Sequence, residues 1–148
     1  MVAMAGSSNQ PCLGPSSSTY CVPPSPTASP CVFADDTFYC SAKSGFIPGP
    51  NGGIYADDVE NQVRQTMRNL LDGLEEAGLD FSNVVASNVY VDDLSEFAKM
   101  NGVYGKYFPT APPTRTTVAP LPPVERKRNA SGHAPMVEQV SIIAVKGP

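Results

Sequence analysis

Arg115 stands in the segment PTAPPTRTTVAPLPP, residues 109–123, with prolines on both sides and β-branched residues directly after it. No acidic residue lies within nine positions of it in either direction. A guanidinium is planar, always charged, and grips a carboxylate through two parallel N–H bonds. With no acidic neighbour in the chain, that fork is left for a carboxylate ligand, or for an Asp or Glu that the fold brings from elsewhere. Other chemistry is thinly supplied. His133 is the only histidine, in the loop-like stretch NASGHAPM, which excludes two-histidine acid–base catalysis. Cys12, Cys21, Cys31 and Cys40 contain no CxxC pair, so no zinc ribbon, metal or other cofactor is expected. Cys40, inside the apolar run TFYCS, reads as a buried thiol, while the other cysteines could form a disulfide that staples the N-terminal arm.

The totals narrow the class further. A chain of 148 residues, 41% of them hydrophobic, suits one domain with a real core. The formal net charge is -4, and the only dense basic cluster, ERKR at 125–128, contains a glutamate and reads as a solvated turn. Nucleic acid is therefore not an expected partner. No segment approaches the roughly 20 apolar residues of a membrane span. The start, MVAMAGSSNQPC, has neither a basic region nor an apolar run of signal-peptide length. The chain reads as cytoplasmic, or as periplasmic or secreted if a signal segment was removed and the cysteines are paired.

The elements that would position Arg115 follow from periodicity. Residues 1–30, rich in Ser, Pro, Gly and Thr, read as an extended arm, and residues 31–148 as the folded domain. CVFADDTFYCSA predicts strand–turn–strand around Asp35 and Asp36. From Asp57 to Ala77, Val59, Val63, Met67, Leu70, Leu71 and Leu74 recur at three- and four-residue steps, which predicts a helix with one buried face, stopped by Gly78. Residues 83–91, NVVASNVYV, predict a strand. A second helix follows, with Asp93 and Glu96 spaced as a capping box and Phe97, Met100, Tyr104 and Phe108 on its inner face. TRTTVA and MVEQVSIIAV are the last two strands. Strands alternating with helices point to a layered α/β or α+β domain whose sheet carries two helices on one face. The other face would be bare and half apolar, which predicts association with further copies.

Several stretches together resemble the Rid family, the YjgF-type reactive intermediate deaminases. They are the helix–strand–helix segment QVRQTMRNLLDGLEEAGLDFSNVVASNVYVDDLSEFAKMNGVYGKYF, the arginine motif PPTRTTV, the loop SAKSGFIP and the terminal IIAV, spanning about Pro30 to Lys146. The resemblance implies a chorismate-mutase-like, two-layer α+β fold and a homotrimer with clefts at its three interfaces. It implies hydrolytic deamination of enamine or imine intermediates, of the 2-aminoacrylate type, to 2-keto acids. It also implies that Arg115 binds the carboxylate of a small metabolite. Ser41, Asn101 and Thr117 join it as substrate-binding positions, Ser41 being preferred to Ser44 because it directly follows Phe38 to Cys40.

The family credits an acidic residue on the last strand with positioning the attacking water. Counting back without gaps from Ala144 and Val145, that position falls on Gln139, with Glu138 one residue earlier. Side chains alternate across a strand, so the two point to opposite faces. Glu138 shares the parity of Val140, Ile142 and Ala144, the expected core face; Gln139 shares that of Ser141 and Ile143. Glu138 could reach a cleft only through a β-bulge. A glutamine can hold a water but cannot take its proton. Two readings stay open: a trimeric deaminase with Arg115 and Gln139 or Glu138 as its catalytic residues, and a non-catalytic, regulatory trimer that binds small carboxylates. A third, a ribonuclease, is disfavoured by the acidic charge and the missing acid–base pair.

Overall fold

The computed structural model describes residues 2–4, 28–49, 53–120 and 134–147. The expectations placed on Cys12, Cys21, His133 and the basic cluster at 125–128 lie outside those residues. The strands are β1 (Val2–Met4), β2 (Cys31–Ala34), β3 (Thr37–Ser44), β4 (Val84–Val91), β5 (Thr114–Val118) and β6 (Glu138–Val145). The helices are α1 (Val59–Glu76) and α2 (Phe97–Tyr104). One mixed sheet runs in the order β1-β2-β3-β6-β4-β5, with β1 parallel to β2 and β5 parallel to β4. The fold is α+β, as the family resemblance implied and one of the two classes that the alternation of patterns left open.

The α1 stripe does what its spacing required. Val59, Val63, Met67, Leu70 and Leu74 are buried against the sheet, facing Phe38, Val140, Ile142 and Ala144 in one core cluster. Leu71, expected with them, is only half-buried, because it sits at the shoulder of the stripe. Asp58 caps the first turn by accepting from the Asn61 amide at 2.7 Å. Gly78 follows the helix at φ 76, a left-handed conformation open to glycine without strain.

Three polar side chains on α1 lock the loops around it. Gln62 donates from Nε2 to the carbonyls of Ala56 and Pro135, both at 2.8 Å, and its Oε1 accepts from the Val137 amide at 3.1 Å. Asn69 donates to the carbonyls of Ser44 and Phe46 at 2.9 and 3.0 Å, and accepts from Gln65 Nε2. Thr66 reaches the start of β6 at Glu138. Gly45 lets the loop approach closely: a Cβ there would collide with the Gln62 carbonyl oxygen.

Two expectations need correcting. Cys40 is not a free thiol but is joined by a disulfide to Cys31, its register partner across the β2–β3 hairpin, where the Cα atoms are 4.1 Å apart. An alternating antiparallel pair brings such partners within bridging distance, and residue spacing does not reveal that register. The second helix is also shorter than its pattern suggested. Asp93 caps a 3-10 turn over Leu94–Glu96, accepting from the Ser95 amide, and α2 starts only at Phe97 without a capping box. A second 3-10 turn, Gly105–Tyr107, closes it, consistent with the helix-weakening glycines at 102 and 105. Met100, Tyr104 and Phe108 are buried as expected.

Candidate functional site

Arg115 lies on β5, the outer strand of the sheet, opposite Ser87 of β4. Residues paired across strands share a face, and Ser87 is buried toward the helices, so Arg115 turns the same way. There it meets a platform on α2. Its guanidinium carbon is 5.3 Å from the Phe97 ring centroid and 4.9 Å from that of Tyr104. Its Nη1 donates to Asn101 Oδ1 at 2.6 Å. Phe97, Asn101 and Tyr104 fall at i, i+4 and i+7 of one helix, a stripe that faces one strand. Tyr104 is fixed in turn, its hydroxyl 2.6 Å from Ser87 Oγ. Burial pushes the Tyr104 phenol up, opposed by that bond and by the Arg115 charge.

The guanidinium has five N–H donors. Among the described residues one partner, Asn101, takes a hydrogen bond from it, and no carboxylate pairs with it. The aromatic faces favour the cation from the side without using its donors. Arg115 is half-buried, so a ligand carboxylate would meet it where water is partly excluded. Thr117, two residues along β5, faces the same side opposite Val89. Asn101 is exposed and holds the arginine in place.

Gln139 and Ser41 form a second group on the open face of the sheet. Gln139 is paired with Tyr90 of β4 and with Ser44 of β3. A cavity of about 530 Å³ is lined by Ser29, Tyr39, Ser41, Tyr90, Gln139 and Ser141. Gln139 donates from Nε2 to Met136 Sδ at 3.1 Å. Ser41 sits at a β3 bulge between Cys40 and Lys43, and its hydroxyl donates to the Ser29 carbonyl at 2.9 Å. Three positions on, Ser44 Oγ is 3.3 Å from the Tyr55 hydroxyl, directly before the close approach at Gly45.

Glu138 stands apart from both groups. It is 2% exposed, turned toward α1 and hydrogen-bonded to Thr66. The register shifts fall in β3 and β4, at Cys40/Lys43 and Val84/Ala86, and not at Glu138, so its side chain keeps the core parity. Burial pushes its carboxyl up to about 7, with the Thr66 bond pulling the other way. The structure thus brings together Arg115, Asn101 and Thr117 at one edge, and Ser41 and Gln139 on the opposite face. It does not join the two sets within one chain. The aromatic platform went unremarked in the sequence, although the spacing of Phe97 and Tyr104 about Asn101 carries it. Among the described residues no group of three or more His, Cys, Asp or Glu side chains gathers to hold a metal ion.

The family profile described as Endoribonuclease L-PSP matches residues 24–123. The chain is 33% identical over 122 residues to a 2-iminobutanoate/2-iminopropanoate deaminase of Bos taurus, covering 81% of this chain and 80% of that protein. It is 35% identical over 96 residues to Reactive Intermediate Deaminase A, chloroplastic, of Arabidopsis thaliana, covering 64% of this chain and about half, 51%, of the relative. The solved structure of E. coli TdcF with bound serine superposes with a TM-score of 0.62 at 23% identity, covering 93% of this chain and 92% of that one. That last likeness establishes the shared fold.

Proposed function

The chain belongs to the Rid/YjgF family of reactive intermediate deaminases, and we propose that it hydrolyses 2-imino carboxylates, or the enamines that tautomerise to them, to 2-keto acids. The observation that carries this reading is Arg115, seated on two aromatic rings, steadied by Asn101, and with donors left over for a carboxylate. Arg115 and Gln139 lie on opposite faces of the sheet, so a site that uses both takes them from two chains. A homotrimer whose open sheet faces meet would supply such a cleft at each interface. Tyr39 and Val85, 46% and 47% exposed on that face, favour this burial.

In that cleft the chemistry is balanced by one water. The protonated imine of the 2-imino carboxylate adds water at its carbon. The resulting carbinolamine expels its nitrogen to leave the 2-keto carboxylate and an ammonium ion. Arg115 fixes the carboxylate and draws electron density from the adjacent carbon. Gln139 orients the water through its amide, and the proton passes to the leaving nitrogen or to solvent, because an amide cannot keep it. Ser41 and Thr117 are the hydroxyls available to the substrate on either side.

The test is release of keto acid from an imine generated in place by an amino-acid oxidase or dehydratase, with and without the protein. Faster release than the uncatalysed rate supports the deaminase. A second reading, a non-catalytic carboxylate-binding trimer, is favoured by Gln139 standing where an acid is expected. It predicts saturable keto-acid binding with no acceleration. Sedimentation at micromolar concentration giving a stable monomer would overturn both.

A further inference from the structure

Tyr104 carries a hydroxyl that apolar packing alone would not call for. Its ring is buried against Phe108, the centroids 5.0 Å apart. Burying a hydroxyl costs free energy unless it is hydrogen-bonded. The Tyr104 hydroxyl lies 2.6 Å from Ser87 Oγ, and the two residues are 4% and 3% exposed. One hydroxyl donates and the other accepts. The bond fixes the ring at one place along β4, which apolar contact by itself does not do.

The helix that carries Tyr104 has few other means of holding its position. α2 is 8 residues long, has no side-chain cap at its start, contains Gly102 and stops at Gly105. A short helix with glycine in it is marginal by itself and rests on tertiary contacts. Met100, Val103 and Tyr104 supply the apolar ones. Among the described residues, the side chains of α2 make two hydrogen bonds to the sheet: Tyr104 to Ser87 of β4, and Asn101 to Arg115 of β5. The first is buried and the second is exposed.

Ser87 and Arg115 are register partners, so the two bonds belong to one circuit. It runs from Ser87 across the ladder to Arg115, from Arg115 to Asn101, along one turn of α2 to Tyr104, and back to Ser87. The same Tyr104 ring carries the guanidinium, whose carbon is 4.9 Å from its centroid. The phenol registers that cation: burial pushes it up, while the Ser87 bond and the Arg115 charge pull it down.

We propose that Ser87 and Tyr104 are positioning residues for Arg115: their hydrogen bond fixes the α2 platform against β4 and so fixes the guanidinium that faces a carboxylate. Both hydroxyls are buried, so they act through Arg115 and not on the ligand. An arginine side chain is rich in rotamers, and contacts that settle its rotamer beforehand lower the ordering cost of binding. The effect on affinity rests on the carboxylate reading of Arg115; the placement of the cation does not.

The test removes both hydroxyls at once. Ser87→Ala or Tyr104→Phe alone leaves one buried hydroxyl unpaired and should lower stability for that reason. The double variant, Ser87→Ala with Tyr104→Phe, leaves neither, so its melting temperature should return toward that of the wild type. The Arg115 Nε–H resonance, identified by its loss in Arg115→Lys, reports on the cation without any ligand. Beside two ring faces it should lie upfield of a free arginine, and in the double variant it should move back toward that position. Pyruvate, titrated into the full chain, should bind the double variant about two- to tenfold more weakly than the wild type, the worth of about one hydrogen bond. Should the double variant not fold, Tyr104→Phe alone is read on the same resonance. An Arg115 resonance that stays still overturns the proposal, and so does pyruvate binding that is equal in wild type and double variant. A resonance that moves in a protein whose wild type binds no pyruvate leaves the positioning role standing and removes the carboxylate reading.

Discussion

Arg115 and Glu138 are treated in opposite ways by the same sheet. Arg115 keeps its charge: it lies half-exposed on an edge strand, against aromatic faces, with a neutral partner that consumes one donor. Glu138 is pushed toward its neutral form: it is enclosed at the start of an inner strand, hydrogen-bonded to Thr66 and with no cation paired with it among the described residues. A neutral or aromatic setting leaves a cation ready for a ligand of opposite sign. An apolar enclosure makes an acid hold its proton instead. The difference leaves one residue open to an anion and the other enclosed against α1.

The largest expected effect comes from removing the cation. Arg115→Ala should leave the fold intact and weaken small-carboxylate binding by about 2–5 kcal/mol, roughly 30-fold or more. Arg115→Lys should bind poorly as well, since an ammonium lacks the planar fork. Keto-acid titration and calorimetry on both variants check this. Unchanged affinity in the alanine variant would erase the contrast between the two residues.

Next comes the acid. The Glu138 carboxyl is raised from 4.5 to about 7, so the folded chain holds this proton more tightly than the unfolded chain does. The stability it confers is therefore complete below about pH 4.5 and is lost as pH rises through about 7. Over that window the loss is about 3 kcal/mol. Glu138→Gln, which cannot titrate, should lack this fall and gain on the wild type as pH increases. Denaturant midpoints at acidic and mildly alkaline pH measure it, and equal slopes in the two proteins would place the proton elsewhere. The smallest effect is expected at the platform. Phe97→Leu keeps an apolar contact but removes the ring, and should weaken carboxylate binding by about 0.5–1 kcal/mol, a few-fold. A loss as large as that of Arg115→Ala would make the ring part of the site in its own right.

Much of this contrast was legible in the sequence, and its limits are physical. The parity of β6 was readable because Val140, Ile142 and Ala144 alternate without interruption, and it sent Glu138 inward and Gln139 outward as observed. The α1 stripe was equally plain, since burial against a sheet imposes a strict period. Thr66, Gln62 and Asn69 were not legible as partners of Glu138 and the loops. Their positions on α1 are fixed by tertiary approach, at sequence separations of up to 75 residues. The Cys31–Cys40 bond was missed for a similar reason: two cysteines nine apart become neighbours only once a hairpin sets their register. The start of α2 was misjudged because Asp93 has cap chemistry that serves a 3-10 turn as readily as an α-helix.

That Arg115 and Gln139 occupy opposite faces has a genetic consequence. In the proposed trimer each cleft draws its arginine from one subunit and its glutamine from the next. Two inactive alleles, one encoding Arg115→Ala and the other Gln139→Ala, would then complement each other. Subunits mixed at random in equal amounts would form both-intact clefts at roughly a quarter of their interfaces, because each interface needs one particular allele on each side. Coexpression would restore about that fraction of activity, from two proteins that alone have none.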